Sequence, residues 1–305
     1  WLNSSLRPDR LICLSIALLY HIFSLCGVTF IVRREYCMDW MENHKKIFKT
    51  DKPIIGCVHL AALPGTPHYD STATFREQVA RAKREIRALQ DAGFDAIVFA
   101  NEGDRPYLSK VGPEIVASYT RIVAQALDAV EIPYGCGVLV DPYAAISIAK
   151  AIDAQFIRAY ISGVYADMCG LTQYHPGDIM RFRRNIGAEH VNIYCYCDAH
   201  GGTSLDSRSQ SDMADTAFSV LDPAGVLVPG QHAGLAPDFK EVEQIKNRFP
   251  DRPIMIASGV TPDNIKHALQ ISDGMVVGTF VKKDGILWNE VDPERAKRFI
   301  DAAKG

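Results

Sequence analysis

Pro253-Ile-Met-Ile-Ala-Ser-Gly-Val-Thr-Pro262 and Gly274-Met-Val-Val-Gly-Thr-Phe280 each join a short apolar run to a glycine-centred turn. Each run has the length of a buried parallel strand, about six residues. Each turn leaves backbone N–H groups bare: Ser258, Gly259 and Val260 in the first, Gly278 and Thr279 in the second. In a (β/α)8 barrel the loops after the seventh and eighth strands often form a phosphate cup from such amides. Glycine allows close approach because no Cβ intervenes. The pair predicts the fold, the ligand class and the working end of the barrel together.

Upstream, apolar runs alternate with amphipathic stretches from Pro53 onward. Strands are expected at 53–60, 95–101, 134–140, 156–160, 192–197 and 225–228, before the two above. The first long helix has a capping-box pattern at Thr74 and Glu77 and ends at Gly93. Asp141-Pro142 and Asp292-Pro293 open two others, and Thr261-Pro262 is expected to open the helix after strand seven. Residues 162–176 and the stretch after strand five read as loops. Strict alternation fits a closed parallel barrel or a doubly wound sheet. Eight repeats with the double glycine turn at the end favour the α/β class as a (β/α)8 TIM barrel. It would be one domain over residues 45–305.

Residues 1–37 stand apart. Leu11 to Val32 contains no Asp, Glu, Lys or Arg, a run long enough to span a bilayer. The first methionine is Met38. The favoured reading is upstream translation, with a membrane anchor as the alternative. Without that segment the chain reads as cytoplasmic. The net charge of −3 gives no basic face for nucleic acid. Cys57, Cys136, Cys195 and Cys197 lie in apolar runs and read as buried thiols. Cys195-Tyr-Cys197 lacks a second ligand pair at zinc spacing.

Barrel chemistry sits at the strand carboxyl ends. Those positions hold His59, Asn101, Glu102, Asp104, Asp141, Arg158, Tyr160, Asp198, His200, Gln231 and His232. Glu102 can act as a base or a metal ligand; its structural alternative is a salt bridge to Arg105 or Lys110. Arg158 interrupts an apolar strand and needs a partner or a ligand. Asp198 and His200 share a face and can serve as an acid–base pair, or bind a divalent metal with Glu102. Asp141 reads better as a helix cap. No lysine lies within the strands, which argues against a Schiff-base aldolase. Lys282 and Lys283 follow the last turn and can reach a phosphate. No GxGxxG follows a strand and no GxSxG occurs.

Val58-His-Leu-Ala-Ala-Leu-Pro-Gly65, Asn101-Glu-Gly-Asp-Arg-Pro-Tyr-Leu108, Ser258-Gly-Val-Thr-Pro262 and Gly278-Thr-Phe-Val-Lys-Lys-Asp-Gly285 strongly resemble the BtpA/SgcQ family. Val291-Asp-Pro-Glu-Arg295 is similar to its closing helix, and Asn101-Glu102 with Pro106-Tyr-Leu108 points to the SgcQ-like branch. The resemblance implies a TIM barrel. It also implies a link either to photosystem I biogenesis, from which the family takes its name, or to sugar-utilisation operons. It implies no defined reaction. Ala199-His200 replaces the Lys-His pair of many members, and Pro229-Gly-Gln-His232 departs from their Ser-Gly pattern. Both departures fall on the expected active face.

The residues together predict an isomerase or lyase for a small phosphorylated, sugar-like metabolite. Ser258, Gly259, Val260, Gly278 and Thr279 would hold phosphate, with His59 and Asn101 beside it. Glu102, Asp198, His200 and Arg158 would carry the chemistry. The alternative is a non-catalytic assembly factor, which would need an apolar patch on the outer helices. A homo-oligomer is compatible with either.

Overall fold

A computed structural model describes residues 38–305. The apolar run at 11–32, with both readings of it, lies outside the described residues. Residues 39–305 form one unit. Eight parallel strands close into a barrel: β1 (Ile54–His59), β2 (Ala96–Ala100), β3 (Tyr134–Gly137), β4 (Phe156–Ala159), β5 (Asn192–Tyr196), β6 (Gly225–Val228), β7 (Ile254–Ile256) and β8 (Met275–Val277). Closure is made by β8 against β1, with Ile54 opposite Met275 and Gly56 opposite Val277. The protein is a (β/α)8 TIM barrel.

Helix α1 (Trp40–Phe48) precedes the barrel. The crossover helices are α2 (Phe75–Ala92), α3 (Pro113–Ala126), α4 (Pro142–Ala151), α5 (Pro176–Asn185), α6 (Gln210–Thr216), α7 (Phe239–Arg248), α8 (Ile265–Ile271) and α9 (Pro293–Lys304). The expected caps are present. Thr74 and Glu77 form a reciprocal capping box, and Gly93 ends α2 at φ +97°. Asp141 accepts from the amides of Tyr143 and Ala144, and also from Val111.

Three expectations are corrected. Helix α8 starts at Ile265, because Asn264 turns its side chain back to accept from the Thr261 amide; Thr261-Pro262 therefore belongs to a turn. The loops after β4 and β5 are not structureless. Gly163–Asp167 and Gly170–Tyr174 form an antiparallel hairpin, and Gly202–Ser204 adds a third strand to it. Lys282 is no solvated phosphate ligand. It is fully buried, donating to Glu85 Oε2 at 2.6 Å and to the Cys57 carbonyl at 3.1 Å, whereas Lys283 is exposed.

The barrel axis is filled by large side chains facing glycines. A Cβ on Gly135 would lie 2.5 Å from the Phe156 ring, and one on Gly225 would lie 2.8 Å from Tyr194. Helix α1 closes this end. Phe48 meets Phe156 and Tyr194 at ring separations of 5.0 and 5.7 Å. His44 Nδ1 lies 2.8 Å from the Tyr194 hydroxyl, and Nε2 lies 3.0 Å from the Asp273 carbonyl. The carbonyl can only accept, so Nε2 carries the proton and Nδ1 accepts from the tyrosine. Burial pulls this imidazole down from 6.5 to about 4.

A histidine held neutral in the fold stabilises it fully above pH 6.5, and that stability drains as the pH falls towards 4, where the unfolded chain is protonated first. The shift corresponds to about 3 kcal/mol. His44→Phe should therefore flatten the loss of stability between pH 6.5 and 4, read by urea unfolding against the parent protein. Parallel curves for the two proteins over that window would remove His44 as the acid-sensitive group.

Candidate active site

At the opposite end of the axis the glycine pattern repeats with a charged partner. A Cβ on Gly137 would lie 3.0 Å from Cγ of Arg158. The gap lets Arg158, on β4, run up the inside of the barrel. Its Nη1 donates to the Tyr196 hydroxyl at 3.2 Å, and Nη2 lies 4.0 Å from Glu102 Oε2. Both charged side chains retain 11% exposure. Arg105 and Lys110 are thus not the partners of Glu102.

Glu102 opens a short 3-10 turn after β2. That turn is pinned by its neighbours. Asp104 accepts from the Leu63 amide and from Asn101 Nδ2, while Asn101 Oδ1 accepts from the Leu139 amide. Asn101 and Asp104 therefore hold the turn through their side chains. Glu102 Oε2 is buried and accepts no hydrogen bond. Burial raises the Glu102 carboxyl above its ordinary range, opposed by Arg158 and Lys282. A carboxyl raised in this way releases its proton less readily than a free one.

His59 ends β1. Its Nδ1 donates to the Leu287 carbonyl at 3.0 Å, which leaves Nε2 with a lone pair. Burial, helped by Lys282, pushes the ring well below 6.5, so it is neutral. His200 is similarly fixed: Nδ1 donates to the Gly230 carbonyl at 2.9 Å, its amide donates to the Tyr160 hydroxyl, and burial lowers its pKa. Its ring stacks at 6.1 Å on Tyr196, which stacks in turn on Tyr160 at 4.6 Å. This aromatic row links His200 to Arg158. Asp198 turns elsewhere, accepting from the Ala199 amide and from Gln210 Nε2. The structure thus brings Glu102, Arg158 and the Tyr196–His200 stack together and leaves Asp198 on the loop. Among the described residues no three His, Cys, Asp or Glu side chains converge as a metal site, so Glu102, Asp198 and His200 do not form the expected donor set.

The two glycine turns differ. Among the described residues no acceptor takes the amides of Gly259, Val260, Gly278 or Thr279. A Cβ on Gly278 would point towards His59 Cε1 at 3.3 Å and Cys57 Sγ at 3.5 Å, inside the mouth. The missing Cβ of Gly259 is accounted for by the backbone of the loop after β6, since Ala236 N would lie only 1.9 Å from it. Ser258 ties the same loop down, accepting from the Gly230 amide at 3.0 Å and donating to the Leu235 carbonyl at 2.7 Å. Ser258 therefore spends its hydroxyl on packing.

Tyr196 and Cys57 are absent from the polar set expected at the strand ends, whereas Tyr160 belongs to it. The signal for the tyrosines was the period-two placement of Tyr194 and Tyr196 on β5, which puts both on the axis.

A closed barrel of eight parallel strands with a buried carboxyl, an arginine and neutral histidines at its strand carboxyl ends is the framework of a TIM-barrel protein. The chain belongs to the BtpA family, whose model matches residues 50–305. It is 34% identical over 264 residues to the sgc region protein SgcQ of Escherichia coli K12, covering 87% of this chain and 97% of that one. It is 30% identical to the photosystem I biogenesis protein BtpA of Synechocystis, covering 84% and 89%. Among solved structures it is similar to N-(5'-phosphoribosyl)anthranilate isomerase of Pyrococcus furiosus, with a TM-score of 0.51, 14% identity and coverage of 83% and 98%. At that identity the likeness concerns the fold. Among the described residues no helix is long and apolar enough to cross a membrane.

Gly259→Ala tests the packing account of the first turn. The residue sits at φ +70°, and the new methyl group would press on the Leu235–Ala236 backbone. The variant should lose about 2 kcal/mol or more of stability in chemical denaturation. An unchanged midpoint would show that the loop after β6 does not rest on this turn.

Proposed function

We propose that this protein is an enzyme of the isomerase or lyase type, acting on a small phosphorylated, sugar-like metabolite bound in the barrel mouth. The observation that carries the proposal is Glu102: a buried carboxyl with an unpartnered oxygen, set 4.0 Å from a buried guanidinium and raised in pKa. An unpartnered carboxyl oxygen is costly to bury, and a substrate proton is a natural partner for it.

In this reading the phosphate accepts hydrogen bonds from the amides of Gly278, Thr279, Gly259 and Val260. Glu102 takes a proton from the carbon next to a carbonyl group. The electron pair moves to the carbonyl oxygen, where Arg158 offsets the developing negative charge. In an isomerase the proton returns to the former carbonyl carbon, while the hydroxyl proton of the deprotonated carbon passes to the enediolate oxygen and leaves a new carbonyl group behind. In a lyase the electron pair instead expels a leaving group. Neutral His59 and His200 orient hydroxyl groups without adding positive charge. The site is cytoplasmic in this reading.

A second reading follows the printed name of the Synechocystis relative, an assembly factor. The observation that favours it is the exposed apolar set on the small antiparallel sheet and its loop: Met168, Leu171 and Leu205, exposed by 51, 74 and 57%. These lie on mouth loops, not on the outer helices.

Thermal-shift titration with phosphosugars separates the readings. A saturable stabilisation is expected, and Gly278→Val should weaken it by filling the space beside His59. With a turned-over substrate in hand, Glu102→Gln should retain binding and lose about 100-fold or more in kcat. No response to any phosphosugar, or full activity of Glu102→Gln, would defeat the proposed mechanism.

A further inference from the structure

A cavity lies on the flank of the strand carboxyl ends. It measures about 390 Å³ and is walled by the loop after β1, the first half of α2, the Glu102–Asp104 turn and Trp288. Its polar lining includes Gln78, Arg81, Arg84, Arg105, Asp70 and Glu77.

Half of these groups are already committed. Arg84 pairs with both oxygens of Glu290. Asp70 accepts from Thr72, and Glu77 is locked in the capping box with Thr74. Three are not. Gln78 is 7% exposed, yet its side chain makes no hydrogen bond among the described residues, and its Oε1 is buried without a partner. Arg81 donates from Nη2 to the Trp288 carbonyl, but its Nε is buried and unbonded, 3.8 Å from Glu85 Oε1. Glu85 is shared, since its other oxygen holds Lys282. The Arg105 guanidinium stacks 3.7 Å above the Trp288 ring, which orients the plane and leaves its N–H edge free.

A buried amide without a partner costs the fold as much as a lost hydrogen bond, unless something else completes it. Here it faces a cavity whose other uncommitted groups are guanidinium N–H donors. Such a set matches the geometry of a phosphate or a carboxylate. We infer that this pocket binds the oxyanion group of a small hydroxylated metabolite, held by Arg105 and Arg81 with Gln78 Nε2 donating to it, while Gln78 Oε1 accepts from a hydroxyl of the same molecule. The site does not depend on the chemistry proposed for the mouth. It does share a wall with it: His59 lines the pocket, and so does Gly103, which follows Glu102, so an occupant can bear on both site residues.

The test uses the full chain with sodium phosphate and sodium succinate as probes, against sodium chloride at equal ionic strength, read by calorimetry and thermal shift. Gln78→Leu exchanges an unpartnered amide for an apolar group of similar size, so its melting temperature should hold or rise. Both Gln78→Leu and Arg105→Gln should weaken oxyanion affinity by about ten-fold or more. Gly278→Val, whose new side chain meets His59 on the shared wall, should cost less affinity than Arg105→Gln. A response confined to phosphate or to succinate identifies which oxyanion the pocket takes. If Gln78→Leu fails to fold, Arg105→Gln decides. The inference is overturned if wild-type protein gives no saturable response to either probe. Equal affinity in wild type and the flank variants, or complete loss of binding in Gly278→Val, would overturn it as well.

Discussion

A sheet closed on itself must fill its own axis, and the placement of charge in this barrel follows from how that filling is divided. Side chains from one strand can be large only where the facing strand is small. Gly135 and Gly137 on β3 and Gly225 on β6 supply the small positions; Phe156, Arg158 and Tyr194 occupy the space. The lower layer is aromatic and is sealed by Phe48 and His44 from α1. The upper layer is polar, with Arg158, Tyr196 and Glu102 in contact. Without the lower seal water would reach the arginine from both ends, and the charge pair would lose the low-dielectric setting that gives it chemical force.

The same constraint explains why so many charges are buried near β1. Lys282 and Glu85 neutralise each other outside the β1 strand, and Arg158 and Glu102 face each other inside it. The two pairs are not equivalent. Lys282 is satisfied, donating to a carboxylate and a carbonyl. Glu102 is not, since one oxygen has no donor. A buried ion pair held by hydrogen bonds is a structural device, whereas the Arg158–Glu102 pair leaves a buried carboxyl oxygen without a hydrogen bond. The contrast separates Glu102 from Asp104 and Asp141, each held by two or more donors, and from Glu85, whose Oε1 is also unbonded but whose Oε2 accepts from Lys282 and from the His59 amide.

The barrel was legible because its signals are local. Strand runs, capping boxes and terminal glycines depend on neighbours in sequence, and Thr74–Glu77, Gly93 and Asp141 behave as their chemistry requires. The site was legible by position and less so by role. Glu102, Arg158 and His59 stand at strand ends, but Asn101 proved to be a clamp for the turn and Asp198 a loop acceptor. Such roles depend on partners many residues away, such as Leu139 for Asn101. Lys282 shows the limit plainly. A lysine after the last turn reads as solvated, and only the fold reveals that Glu85, nearly two hundred residues upstream, holds it in the interior.

The two glycine turns that decided the fold also show how one residue type serves opposite ends. At Gly259 the absent side chain makes room for another segment of this chain, the Leu235–Ala236 backbone, with Ser258 fastening it. At Gly278 the absent side chain opens towards His59 and Cys57, in the polar layer. Sequence alone gives both turns the same meaning, because glycine marks close approach without naming what approaches. In the first turn the protein itself fills that place. In the second the place faces the barrel mouth, and the bare amides of Gly278 and Thr279 beside it make this turn the stronger candidate for receiving an anion from solution.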